Sequence, residues 1–155
     1  KWMEQVPEHG EATRLPRTHV LLFGFEKLGE SILPAVKKVG QSYRVADFDP
    51  MAIKHLDELG EPSAYGDVGN EDFLDYLRAD KSKLIISTIP DLAVSTDILS
   101  FCKVKKSRAT VIVTAKNEHD AAILYSMGAH FVILPAKLGG EHFANLLSKK
   151  KTRLY

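Results

Sequence analysis

A chain of 155 residues with 45% apolar and 26% charged side chains is large enough to bury one core, which excludes general disorder. The net charge of +1 leaves no basic footprint for nucleic acid or for an anionic membrane surface. Cys102 is the single cysteine, so no intrachain disulfide forms, and the six histidines lack metal-ligand spacing.

The opening KWMEQVPEHGEATRLPR has no apolar period and reads as a linker, residues 1–17, from a missing upstream region, with Trp2 and Val6 as its packing residues. No apolar run reaches the ~18 residues needed to span a bilayer. From Thr18 onward, short β-branched runs alternate with longer amphipathic ones, the pattern of parallel strands joined by crossover helices. HVLLFG predicts a first strand, followed by a helix from Lys27 to Val39 that stops at Gly40. YRVAD predicts the second, followed by a helix from Pro50 to Leu59 that stops at Gly60, with Asp49 as its cap. SAYG precedes a short helix from Glu71 to Leu77 capped by Asn70, and KLIIST precedes a helix from Leu92 to Lys103. TVIVTA leads to a helix from Glu118 to Met127 that stops at Gly128. FVILP then leads to a last helix from Gly139 to Leu147, started after paired glycines, and Lys149 to Lys151 read as its solvated end, in a basic tail 149–155. The sum is an α/β domain over residues 18–148: a doubly wound, parallel, six-stranded sheet with helices on both faces. The first, second, fourth and fifth strands are near-continuous apolar runs, as double coverage requires.

In such a sheet, ligands bind outside the carboxyl ends of the strands where strand order reverses, next to the first strand. There stands GFEKLG, residues 24–29. The dinucleotide fingerprint G-x-G-x-x-G uses its first glycine to turn, its second to let backbone approach a pyrophosphate, and its third to pack helix on strand. Gly24 and Gly29 match the first and third; Glu26 occupies the second. Either its side chain swings into water while Lys27 and the helix N-terminus supply positive potential, or the site takes a mononucleotide or nothing. Asp47 follows Gly29 by 18 residues at the end of the second strand. A carboxylate there accepts both hydroxyls of an adenosine ribose and repels a 2'-phosphate, which predicts NAD, AMP, ADP or ATP and disfavours NADP. The structural alternatives are a turn acid at Asp47, a turn acid at Asp67 in YGDVGNEDFL, and a cap-only role for the turn in STIPDL.

Five segments in order, HVLLFGFEKLGESI, VADFDPMAIKHL, YGDVGNEDFL, IISTIPDLAVS and VIVTAKNEHDAAILYSMGAHFVILPAKLGGEHFANLL, resemble the TrkA-N nucleotide-binding domain, also called RCK or KTN. The closing LYSMGAHFVILPAKLGGEH is most similar to the version attached to Kef-type cation:proton antiporters. The resemblance implies a Rossmann-like regulatory module, usually dimeric, on the cytoplasmic side of a membrane transporter. Its membrane partner would be the protein's own transmembrane domain or a separate subunit. It also implies a nucleotide site built from Gly24, Phe25, Glu26, Lys27, Leu28 and Gly29. Asp47 would hold the ribose, with Phe48 in reach of the adenine. Gly66, Asp67 and Val68 would lie at the adenine, and Thr88 and Ile89 would flank the ligand. Departures from the family pattern are Glu26, Ser95 where many relatives have asparagine, and Thr114 where many have arginine.

Three functions follow. A nucleotide sensor would gate monovalent cation (K+ or Na+)/proton antiport, or another K+ transport system, by rearranging a dimer. A ligand-free dimerisation scaffold of the same transporter would need no pocket. An NAD-dependent oxidoreductase would need a general acid or base and a substrate domain, and the sequence offers neither a Tyr-x-x-x-Lys pair nor long insertions.

Overall fold

The computed structural model describes residues 14–150. Within them lie the six strands β1 (Val20–Phe23), β2 (Tyr43–Asp47), β3 (Ser63–Tyr65), β4 (Leu84–Ser87), β5 (Thr110–Thr114) and β6 (Phe131–Ile133). The helices are α1 (Leu28–Lys38), α2 (Pro50–Glu58), α3 (Glu71–Tyr76), α4 (Leu92–Val104), α5 (Glu118–Ser126) and α6 (Pro135–Lys150), with an unforeseen 3-10 turn at Ala79–Lys81. Every strand pairing is parallel, and the spatial order is β3-β2-β1-β4-β5-β6. Chain order therefore reverses between β1 and β4, and a crevice opens outside their carboxyl ends.

Because successive side chains on a strand point to opposite faces, each central strand feeds two cores. Val20, Leu22, Val45 and Ile86 meet Leu33 and Val36 of α1 and Ile53 and Leu56 of α2. On the other face, Leu21, Phe23, Ile85, Val111 and Val113 meet Phe73 and Leu74 of α3, Ile98 and Leu99 of α4 and Leu124 of α5. Each fully buried side chain of this kind contributes about 1.5–3 kcal/mol. A one-residue slip of β1 would exchange its two apolar sets between cores of different shape, so the register of the strand that carries the glycine turn is fixed.

The caps act as their residue types dictate. Asn70 Oδ1 accepts from the amides of Asp72 and Phe73, and Asp49 Oδ1 accepts from Met51 N at 2.9 Å with Pro50 opening α2. Gly40, Gly60 and Gly128 follow their helices with positive φ.

Two expectations are corrected. The last helix begins at Pro135, four residues before Gly139, so the paired glycines lie inside it. Proline is pre-organised for the first helical position, and Leu138 N donates to Leu134 O at 3.0 Å to close the first turn. The two glycines each weaken the helix by about 1 kcal/mol relative to alanine without ending it. Residues 135–149 are all exposed. Near the start, Leu15 packs against the α3–α5 core and its amide donates to Tyr76 O at 2.9 Å, so the end of the supposed linker belongs to the domain. Trp2, Val6 and Lys151 lie outside the described residues.

Candidate functional site

The turn after β1 is built by its glycines. Gly24 has φ +83 and donates to Ala46 O at 2.9 Å; a Cβ there would stand 2.6 Å from Thr88 Oγ1 and 2.9 Å from Ile89 Cγ1. A Cβ on Gly29 would stand 2.0 Å from Gly24 O. The first glycine thus permits the turn and the third lets α1 close on it, as the fingerprint requires. Gly29 lies beneath the turn, packed away from the cleft surface.

Asp47 braces the same turn from the next strand. Its Oδ2 accepts from Phe25 N and its Oδ1 from Asp49 N, both at 2.9 Å. Each carboxylate oxygen keeps further acceptor capacity. Thr88 Oγ1 lies 3.0 Å from both Phe23 O and Gly24 O, so its one hydrogen is committed to the end of β1. Thr114 Oγ1 likewise donates to Ser87 O at 2.8 Å.

Across the crevice, Gly66 N donates to Asp47 O at 3.0 Å, and a Cβ on Gly66 would stand 2.4 Å from the Phe73 ring. Asp67 Oδ1 accepts from Gly69 N at 2.8 Å, the turn-holding role weighed from sequence, while its residue stays exposed. Val68 is buried in the core. Phe48 is 65% exposed and stacks on Tyr65, with ring centroids 5.8 Å apart.

At the mouth of α1 no side chain caps the helix. Lys27 holds φ 52 and ψ −92, a conformation that costs a non-glycine residue about 1–3 kcal/mol. Among the described residues, the amides of Glu26, Lys27 and Leu28 have no acceptor, and neither Glu26 nor Lys27 forms an ion pair. Both side chains are exposed.

These parts enclose one cleft of about 680 Å³, lined by residues 24–28, 47–49, 66–68 and 88–90 with Val94, Thr114 and Pro135. Every residue predicted for the nucleotide site lines it except Gly29; Ser95, the departure on α4, is buried and does not line it. Sequence reasoning missed Pro90, Val94 and Pro135 as lining residues, and read Asp49 only as a cap and Thr114 only as a departure from the family. Pro90 and Val94 belong to the β4–α4 connection, so their signal was the strand-end position already used for Thr88 and Ile89. A second cavity of about 660 Å³, between α5, β6 and α6, contains none of the predicted residues. Cys102 lies apart in the core, where burial pushes its thiol up to about 11. Among the described residues, no cluster of three or more His, Cys, Asp or Glu converges to hold a metal, and no helix is long and apolar enough to cross a membrane.

The TrkA-N domain profile matches residues 20–135. A protein of Alkalimonas amylolytica named as a K(+) efflux antiporter, KefB, is 25% identical over 130 residues, covering 84% of this chain and 19% of that protein. The chain thus spans about a fifth of the length of this curated relative. The TrkA-N domain of the inner membrane protein ybaL from Escherichia coli superposes with a TM-score of 0.76 at 21% identity, over 83% of this chain and 96% of that one. The GsuK channel bound to NAD gives 0.68 at 20% identity, over 86% and 25%. The Kef C-terminal domain of Shewanella denitrificans in its AMP-bound form gives 0.66 at 17%, over 82% and 80%. At these identities the structural likeness establishes the fold. With its profile match running through every strand and five of the six helices, the chain belongs to the TrkA-N domain family.

Proposed function

We propose that the chain is a regulatory module that binds an adenine nucleotide, NAD(H) or AMP, ADP or ATP, in the cleft at the switch point. Occupancy shifts the pairing of two copies and so gates a monovalent cation/proton antiporter or K+ transport system from the cytoplasmic side of the membrane. One observation carries the reading: the glycine turn, the acid ending β2 and the ends of β3 and β4 line a single cleft. Asp47 accepts the ribose hydroxyls with the capacity its two amide donors leave, and its charge disfavours the 2'-phosphate of NADP. The unpaired amides at 26–28 and the N-terminus of α1 receive phosphate. Phe48 offers an exposed ring beside the adenine. The AMP-bound Kef domain and the NAD-bound channel are relatives in fold that support this choice of ligand.

The route from ligand to transporter starts at Pro135, which lines the cleft and opens α6. That helix exposes Leu138, Phe143, Leu146 and Leu147, an apolar set suited to pairing with a second copy. The ligand's differential affinity for the two pairings supplies about 1–3 kcal/mol of coupling, and no catalytic step is needed.

Thermal unfolding with and without millimolar nucleotide tests the reading, since ligand at a hundred times its dissociation constant stabilises by about 2.7 kcal/mol. A second reading, the ligand-free scaffold, is favoured by the protein hydrogen bonds through which Asp47 and Thr88 hold the turn. Absence of any shift with all of these nucleotides would leave the scaffold standing and remove the sensor.

A further inference from the structure

The four carboxylates that line the cleft differ in what they do for the fold. Asp47 holds the amides of Phe25 and Asp49, Asp49 caps α2 through Met51 N, and Asp67 closes its turn through Gly69 N. The Glu26 carboxylate has no hydrogen bond or ion pair among the described residues, yet it lines the cleft at the turn where phosphate is expected. Among the described residues, Lys27 is the one lysine or arginine in the lining, set against these four acids. An exposed carboxylate with no structural partner at that position has its charge free to meet what enters the cleft.

We propose that Glu26 is a specificity-determining residue through which the cleft selects by phosphate charge, favouring AMP and NAD over ADP and ATP. The inference rests on the nucleotide reading above. AMP brings one phosphate, ADP two and ATP three, while NAD offsets its two phosphodiester charges with a cationic nicotinamide ring. Each added phosphate charge meets Glu26 with only Lys27 and the amides of the turn to balance it. At about 6–8 Å and an effective dielectric constant of about 40, one such added charge lowers affinity roughly five- to ten-fold. The discrimination weakens as salt screens the exposed carboxylate. Adenosine, which carries no phosphate, is indifferent to Glu26.

Calorimetric titration of the 155-residue chain and of Glu26→Gln with adenosine, AMP, NAD, ADP and ATP, without divalent cations and at low and high salt, tests this. The expected wild-type order places AMP and NAD ahead of ADP and ADP ahead of ATP, about five- to ten-fold per step at low salt. In Glu26→Gln the steps shrink by about that factor while adenosine affinity is unchanged. Equal affinity of the wild type for ATP and AMP overturns the inference, as does an unchanged order in the variant. An equal gain for adenosine overturns it too, since bulk rather than charge would then be responsible. A flat order with clear binding removes this inference alone; no binding by any of the five removes the nucleotide reading with it.

Discussion

Asp47 joins the fold to the proposed chemistry, and replacing it separates the two. In Asp47→Ala the amides of Phe25 and Asp49 lose their acceptor, each a bond of 2.9 Å to a charged oxygen. Asp49 N sits near the surface and can be rehydrated, but Phe25 is 4% exposed and its amide is left facing the vacated space. One charge-assisted bond replaced by water costs about 1 kcal/mol, and one buried donor left unpaired about 1–3 kcal/mol, so the total is about 2–4 kcal/mol. For a domain of this size each kcal/mol lowers Tm by about 2–4 °C, and the drop should be about 5–15 °C. Urea denaturation should show a lower midpoint with an unchanged slope. Asp47→Asn keeps one neutral acceptor oxygen and turns its NH2 toward the other amide; with the oxygen kept on the buried Phe25 amide it should lose less stability than Asp47→Ala, while nucleotide affinity falls about ten-fold. Wild-type stability in Asp47→Ala would refute the bracing role. Undiminished nucleotide response in Asp47→Asn would refute the ribose role.

The glycines give a contrast in sign. Gly29→Ala forces a Cβ to 2.0 Å from a backbone oxygen and should cost about 3 kcal/mol by thermal unfolding, whereas Gly139→Ala, in open space inside α6, should raise stability by about 1 kcal/mol. Hydrogen bonds from Lys37 Nζ at 2.6 Å, and from the Tyr43 hydroxyl, hold the Glu61 carboxyl below its ordinary value of 4.5. Its stabilisation is complete above that value and disappears as pH falls through the lower folded one. Glu61→Gln should therefore be less stable than wild type at pH 7, with the gap closing in acid denaturation curves; a gap constant with pH would contradict the pairing. Cys102, buried and pushed up to about 11, should resist thiol reagents at pH 8 and label only as the domain unfolds, so rapid native-state labelling would contradict its core position.

Local chemistry made much of this legible. The caps at Asp49 and Asn70 and the helix-ending Gly40, Gly60 and Gly128 are decided within a few residues, so the spacing of their types reveals them. The glycine turn and Asp47 were legible because one βαβ unit carries both. The start of α6 was not, because Gly139 and Gly140 punctuate the sequence more loudly than Pro135 opens it, and the helix, exposed over residues 135–149, is not marked by burial against the sheet. Leu15 is a lone apolar residue without a period, and only its contact with the core identifies it. Pro135 reaches the cleft from the last βα connection, more than a hundred residues from Gly24, through strand order that no local spacing encodes. The internal bonds of Asp47 and Thr88 were equally invisible: residue type says that a carboxylate or hydroxyl can accept or donate, and only packing says to which backbone group.

Backbone amide resonances followed while AMP, and separately NAD, is titrated into the chain address the central claim residue by residue. The account predicts that the amides of residues 24–28, 66–68 and 88–89 move together with one dissociation constant for each nucleotide. Resonances that stay still, or that move only around α5, β6 and α6, would contradict it.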